Sequence, residues 1–160
     1  MPEIQHKELH RVCATALVYR PDHTFLIIKR GDTKRVHPGR WLPPGGGLSV
    51  DDYINTPPGA DNQWEGALEK ALRREVLEEV GIEIGKPEYI CDIAFIQPNG
   101  TPVLVLSFMA PYVGGDVVPD GVEVSDVAWV TLQAAGKYDL VGETLEEIRT
   151  ADSILKSRAN

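Results

Sequence analysis

The sequence predicts an α/β fold, a mixed β-sheet with helices packed on its faces. Strand-like segments outnumber helical ones, one strand pair precedes a long helical pattern, and a second pair follows it. The stretch Arg11–Tyr19 (RVCATALVY) has the length and β-branched content of a buried strand. Pro21-Asp22-His23-Thr24 supplies a turn, and residues 25–29 return as the second strand. Residues 63–80 carry helical spacing, with Asn62 as N-cap, Glu65 completing a capping box and Gly81 as the stop. Residues 89–96 and 103–109 then read as strands joined by the turn Gln97-Pro98-Asn99-Gly100. A further strand lies within 122–130, and an amphipathic helix over about 143–156 closes the chain. No repeat or linker divides the 160 residues, so one domain is expected over 1–160, its first ten residues a polar N-terminal segment.

Composition bounds the function. An apolar fraction of 42% and a charged fraction of 25% are those of ordinary globular proteins. No apolar run approaches the ~20 residues that cross a bilayer. The N-terminus resembles neither a signal nor a transit peptide, so a cytoplasmic location without a membrane partner is expected. The net charge of -8 argues against non-specific affinity for nucleic acid. A polyanionic small molecule still suits an acidic protein when a divalent cation sits between them. Cys13 and Cys91 fall in apolar runs and read as small buried hydrophobes, and no Cys/His spacing suggests zinc.

The helical segment carries the chemistry. Glu75, Glu78 and Glu79 stand at i, i+3 and i+4, on the face that continues Trp64, Leu68 and Ala71. On an exposed helix such like-charge pairs cost only ~0.2–0.5 kcal/mol each. Partly buried, two charges ~6 Å apart at an effective dielectric of ~20 repel by about 3 kcal/mol. Such a group needs a cation, and oxygen-only ligation suits Mg²⁺ or Mn²⁺. Upstream, Gly45-Gly46-Gly47 marks either a structural loop or a place where backbone passes close to a ligand.

The run Arg74-Glu75-Val76-Leu77-Glu78-Glu79-Val80-Gly81-Ile82, after Pro44-Gly45-Gly46, resembles the signature box of the Nudix (MutT-like) hydrolases. Gly39-Arg40-Trp41 and Ala128-Trp129-Val130 add to the likeness, which covers about 12–130. One departure stands out. About fourteen extra residues separate the two halves of the box, so Asp52 and Glu65 compete for the place of its first glutamate. An insertion over 53–62 accounts for this, and it is expected to form a mobile flap that limits which substrates enter.

The resemblance implies a Nudix-type mixed sheet sandwiched between helices. It implies divalent-metal-dependent hydrolysis of a phosphoanhydride bond in a nucleoside diphosphate linked to another moiety. A nucleoside triphosphate and a nucleotide sugar such as ADP-ribose are the two substrate classes. Glu75, Glu78 and Glu79 would coordinate Mg²⁺ (or Mn²⁺), with Arg74 in support and Glu123 as a further ligand or an exposed loop acid. Arg30 and Arg40, within the basic group Lys29, Arg30, Lys34, Arg35 and Arg40, would meet phosphate beside Gly45 and Gly46, or remain solvated. His37 reads as a surface histidine and Trp41 as a core residue. A monomer or homodimer acting on a small nucleotide is expected. The alternative is a catalytically weak or inactive nucleotide-binding sensor of the same fold.

Overall fold

In the computed structural model, which describes residues 1–4 and 6–160, the first expected strand forms as β1 (Arg11–Tyr19). Gln5, in the polar N-terminal segment, lies outside the described residues. Alternation along β1 sets the layers: Ala14, Ala16 and Val18 enter one core and Leu17 the other. β2 (Phe25–Arg30) returns after the turn with Tyr19 opposite Phe25. β3 (Trp41–Leu42) pairs with β2, and β4 (Gly45–Gly47) pairs antiparallel with the first half of β1.

After the long helix α1 (Ala67–Val80) come β5 (Glu83–Ile84), β6 (Glu88–Ile96) and β7 (Pro102–Gly114). β7 runs parallel to β1 from Val103 opposite Arg11 to Pro111 opposite Tyr19. It extends past the expected 103–109 because β6 pairs with it as far as Met109 and β5 takes over at Tyr112 and Gly114. β8 (Val124–Val130) joins the far edge of β2, and α2 (Leu132–Ala135) and α3 (Thr144–Arg158) end the chain.

The sheet lies between helices, as expected, in a single domain. α1 buries Leu72, Val76 and Val80 against Leu26, Ile28 and Ile82. On the opposite face α3 buries Ile148 and Ala151 against Leu17, Phe25, Ile27 and Met109. Burying such side chains contributes about 1.5–3 kcal/mol each, which is what holds both helices in place.

The start of α1 corrects the sequence-based expectation. The helix begins at Ala67 after Gly66, which has φ 73° and caps it without a side-chain bond. Asn62 sits in a 3-10 turn at φ 56° and caps nothing. Trp64 therefore lies off the helix: its ring packs 5.4 Å from that of Tyr53 and its Nε1 donates to the Thr56 carbonyl at 2.8 Å. These contacts, with Gly59 N–H donating to Gln63 O at 2.8 Å, tie the insertion to the residues that lead into α1. The C-terminal end matches expectation, with Gly81 at φ 73° donating to Leu77 O at 2.9 Å. Among the described residues no helix is long and apolar enough to cross a membrane.

Candidate active site

The glycine strand β4 works because it has no side chains. A Cβ on Gly45 would lie 2.1 Å from the Ala14 carbonyl oxygen, so only glycine lets β4 pair so closely with β1. A Cβ on Gly46 would lie 2.3 Å from the Glu75 carboxyl carbon, and one on Gly47 would lie 2.2 Å from Nη2 of Arg11. The strand is thus pressed between an acid and a base, and Gly45 N–H donates to Glu79 Oε2 at 2.9 Å.

The three α1 glutamates differ sharply in exposure. Val76 and Val80 turn into the core, which drags Glu79 with them to 5% exposure, whereas the Glu78 side chain is 60% exposed. Glu75 lies between, its side chain mostly covered. Arg74 gathers their surroundings. Its Nε donates to Asp52 Oδ1 at 2.5 Å and its Nη2 to Asp52 Oδ2 at 3.1 Å, a two-point ion pair. The same guanidinium donates to Glu75 Oε1 at 2.9 Å, Glu78 Oε2 at 3.1 Å and the Gly47 carbonyl at 3.2 Å. The Asp52 side chain is 3% exposed and also accepts the Ser49 N–H at 2.8 Å. The Arg74 hydrogen bonds hold its carboxyl below the usual range. Of the two candidates for the first box acid, Asp52 meets Arg74, while Glu65 is exposed beside Trp64 and Lys70.

Glu79 is the most perturbed of these acids. Burial raises its carboxyl to about 8; the Gly45 N–H opposes this, the charges of Glu75 and Glu123 add to it, and Arg30 opposes it. Glu123 comes within range because its loop is pinned. Asp120 N–H donates to Glu79 O at 3.0 Å, and Asp120 Oδ1 accepts the N–H groups of Val122, Glu123 and Val124 at 2.9 Å each. The Glu123 carboxylate itself pairs with Lys34 at 3.1 Å.

The basic residues divide. Burial lowers the Arg30 guanidinium from its ordinary value, the charges of Glu79 and Glu123 oppose that, and its Nε donates to Val36 O at 2.7 Å. Arg40 is turned away to the loop before α3, donating to Asp139 Oδ1 at 3.1 Å and Leu140 O at 2.6 Å. His37 is half-buried rather than fully on the surface, with φ 50° and its ring 6.3 Å from that of Phe95. Burial, then Arg40 and Arg30, push its imidazole below the usual value. Trp41 packs edge-on against Tyr138 at 4.9 Å beside the α3 core. Both cysteines are free and half-buried, on strands rather than deep in the core. Cys13 lies near the charges of Arg11, Glu75 and Arg30. Arg11 was missed from sequence; only its register, two residues before the partner of Gly47, connects it to the site.

The donor set has the chemistry of a hard-cation site: carboxylates alone, one of them raised chiefly by burial and further by its neighbours' charges. The positions are a different matter. Among the described residues no group of three or more His, Cys, Asp or Glu side chains is gathered to hold an ion. Glu78 and Glu123 are spent on Arg74 and Lys34.

Residues 9–150 match the family model for the NUDIX domain. The NAD-capped RNA hydrolase NudC of Stutzerimonas stutzeri is 32% identical over 105 residues, 66% of this chain and 34% of that protein. The chain spans about a third or less of the length of the curated relatives it matches. Two solved structures share the fold. A MutT NUDIX hydrolase from Burkholderia pseudomallei aligns with a TM-score of 0.69 at 24% identity, covering 89% of this chain and 98% of that one. The NUDIX domain of Shewanella oneidensis NrtR, complexed with ADP ribose, aligns with a TM-score of 0.68 at 17% identity, covering 96% and 91%. With the acidic box on α1, the glycine strand against it and a family match over nearly the whole sequence, the chain belongs to the Nudix family.

Proposed function

We propose that this chain binds a nucleotide containing a diphosphate and hydrolyses its phosphoanhydride bond with a divalent cation, Mg²⁺ or Mn²⁺. The observation that carries this is Glu79, a buried carboxyl raised to about 8 and held at the N–H of the glycine strand beside Glu75. Glu75, Glu78 and Glu79 would hold the cation, with Glu123 as a further ligand. When bound, the cation supplies a water of lowered pKa and neutralises charge on the phosphoryl oxygens. The chain's own residues do the positioning. Arg74 orients Glu75 and Glu78, Arg30 offers a partly desolvated cation to phosphate, and Gly45 and Gly46 leave room for it. This reading takes the protein to be cytoplasmic, a monomer or homodimer, with a small nucleotide as its partner.

A nucleotide-binding sensor with weak or no turnover is the alternative, and one observation favours it. The carboxylates as they stand are not gathered into a metal site, and two of them are occupied by basic side chains. On turnover that observation supports the sensor better than the enzyme; nucleotide binding is common to both. The S. stutzeri relative hydrolyses NAD-capped RNA, which places dinucleotides beside nucleoside triphosphates and nucleotide sugars in the panel to be tried.

Purified protein with Mg²⁺ or Mn²⁺ and that panel separates the two by product release. The enzyme is expected to turn over at least one member, and Glu78→Gln to lower that rate at least ~10²-fold with the fold intact. Tight binding of a nucleotide without turnover would establish the sensor. A milder change probes Glu75. Gly46→Ala puts a methyl where the Glu75 carboxyl lies, at the end of a flexible side chain, so the fold should hold while Mn²⁺ affinity drops about tenfold. Calorimetric titration with Mn²⁺ checks this; unchanged affinity would remove Glu75 from the ligand set.

A further inference from the structure

Along residues 53–66, which lead from Asp52 to the start of α1, only Tyr53 and Trp64 are half-buried; every other residue is exposed. Their rings meet at 5.4 Å, inclined by 51°. Thr56 links the same two residues a second time. Its carbonyl accepts Trp64 Nε1–H at 2.8 Å, and its hydroxyl donates to Tyr53 O at 2.8 Å. Between the rings the backbone reverses through Asp61 and Asn62, both at positive φ, a conformation that Asp and Asn adopt more readily than most side-chain-bearing residues. Tyr53 directly follows Asp52, and Trp64 stands three residues before α1 begins. On the other side of Asp52 the chain is held by Ser49, whose N–H donates to Asp52 Oδ2 at 2.8 Å and whose carbonyl accepts Asp52 N–H at 3.0 Å.

We infer that Tyr53 and Trp64 are positioning residues for the glutamate site, acting through Asp52 and Arg74. This deepens the proposed function and rests on it. Asp52 stands at the head of a long exposed segment, and ordering each residue of such a segment costs conformational entropy. The ring contact fixes the two ends of the segment together, so its interior can stay exposed without loosening Asp52. It also fastens the segment to the right body. Arg74 lies about two turns beyond Ala67 on the helix that Trp64 leads into, so ring pair and ion pair join one loop to α1 at two places. A single ion pair would leave that loop free to pivot. Asp52 competes with Glu75 and Glu78 for the Arg74 guanidinium. Held by the rings, it keeps the larger share, and the two glutamates are left freer to meet a cation. Released, it would yield the guanidinium to them. The extra residues that split the box therefore carry the fastening that lets Asp52 serve it.

Calorimetric titration with Mn²⁺ alone tests this. Trp64→Ala should lower Mn²⁺ affinity about fivefold, the size of one lost aromatic contact, and Tyr53→Ala should do the same from the other ring. Trp64→Phe keeps a ring against Tyr53 and should stay within about twofold of wild type. Both rings lie outside the two apolar cores, so the variants should fold, which circular dichroism checks. A second background separates positioning from a general loosening of the structure. In Asp52→Asn the guanidinium is already released, so adding Trp64→Ala should change the affinity by less than about twofold. A loss of about fivefold in both backgrounds, or none in either ring variant, would overturn the positioning role while leaving the metal site standing. Wild type that binds no Mn²⁺ would overturn the site itself and this role with it.

Discussion

Metal-free protein is expected to lose several kcal/mol of stability as the pH rises from about 5 to about 8, and Mg²⁺ to restore much of it. The cause is Glu79. Its carboxyl sits near 4.5 in an ordinary setting and at about 8 in the fold, chiefly because it is buried. A group with a raised folded value favours the fold in its protonated form. Its contribution is whole below the unfolded value, erodes as the pH climbs between the two, and is flat above the folded one. Full ionisation costs about 5 kcal/mol on this scale, which lowers the melting temperature by roughly 10–20 °C. Glu147, also buried and raised, adds in the same direction. Asp52, Glu88 and Asp152 are lowered, so stability from them is present above their unfolded values and lost as the pH falls through their folded ones, a more acid window. Glu79→Gln isolates the effect, since its amide oxygen still accepts the Gly45 N–H. Thermal melts in chelator should show the variant well above wild type at alkaline pH and level with it below about 4.5. Mg²⁺ should raise wild type more at alkaline pH, because a cation beside Glu79 makes its ionised form the favoured one. Parallel pH profiles for the two proteins would show that Glu79 is not the group responsible.

That Glu79 shares one helix surface with Glu75 and Glu78 was legible in the sequence; that its burial differs so much from that of Glu78 was not. The spacing of Glu75, Glu78 and Glu79 puts them on neighbouring positions of one helix. How deep each lies depends on how Val76 and Val80 turn the helix against the sheet. The expected stripe through Trp64 failed for a related reason. Trp64 has helical spacing from Leu68, yet its contact with Tyr53, eleven positions away, outweighs local pattern and delays the helix to Ala67. Strand β1 was read to the residue because a run buried on both faces needs no knowledge of its neighbours. The length of β7 does need it, since β6 and β5 successively supply its second edge. Arg11 and Arg40 show the same divide at the site. Arg40 stands among basic residues yet is drawn to Asp139 and Leu140, whereas Arg11 stands apart in sequence and reaches Gly47 through strand register.

Asp52→Asn is expected to cost about 2–3 kcal/mol and roughly 5–10 °C in melting temperature, far more than a typical surface charge. The Asp52 side chain is covered, while Arg74 is about a third exposed and keeps other partners, so the loss falls short of that for a fully buried pair. Asparagine also turns an amide toward two guanidinium donors that now meet two acceptor oxygens. Function should suffer through a separate route. Without Asp52, the guanidinium keeps only Glu75, Glu78 and the Gly47 carbonyl, so it holds the two glutamates more firmly against any cation. Mg²⁺ affinity should therefore fall in Asp52→Asn and recover in part when Arg74→Gln is added, with the two stability losses summing to more than the double variant shows. Glu65→Gln is the control, because that acid is exposed and remote from Arg74's partners. A fall in stability on changing Glu65, with Asp52→Asn behaving as wild type, would mean that the insertion hands the role of the first box acid to its far end.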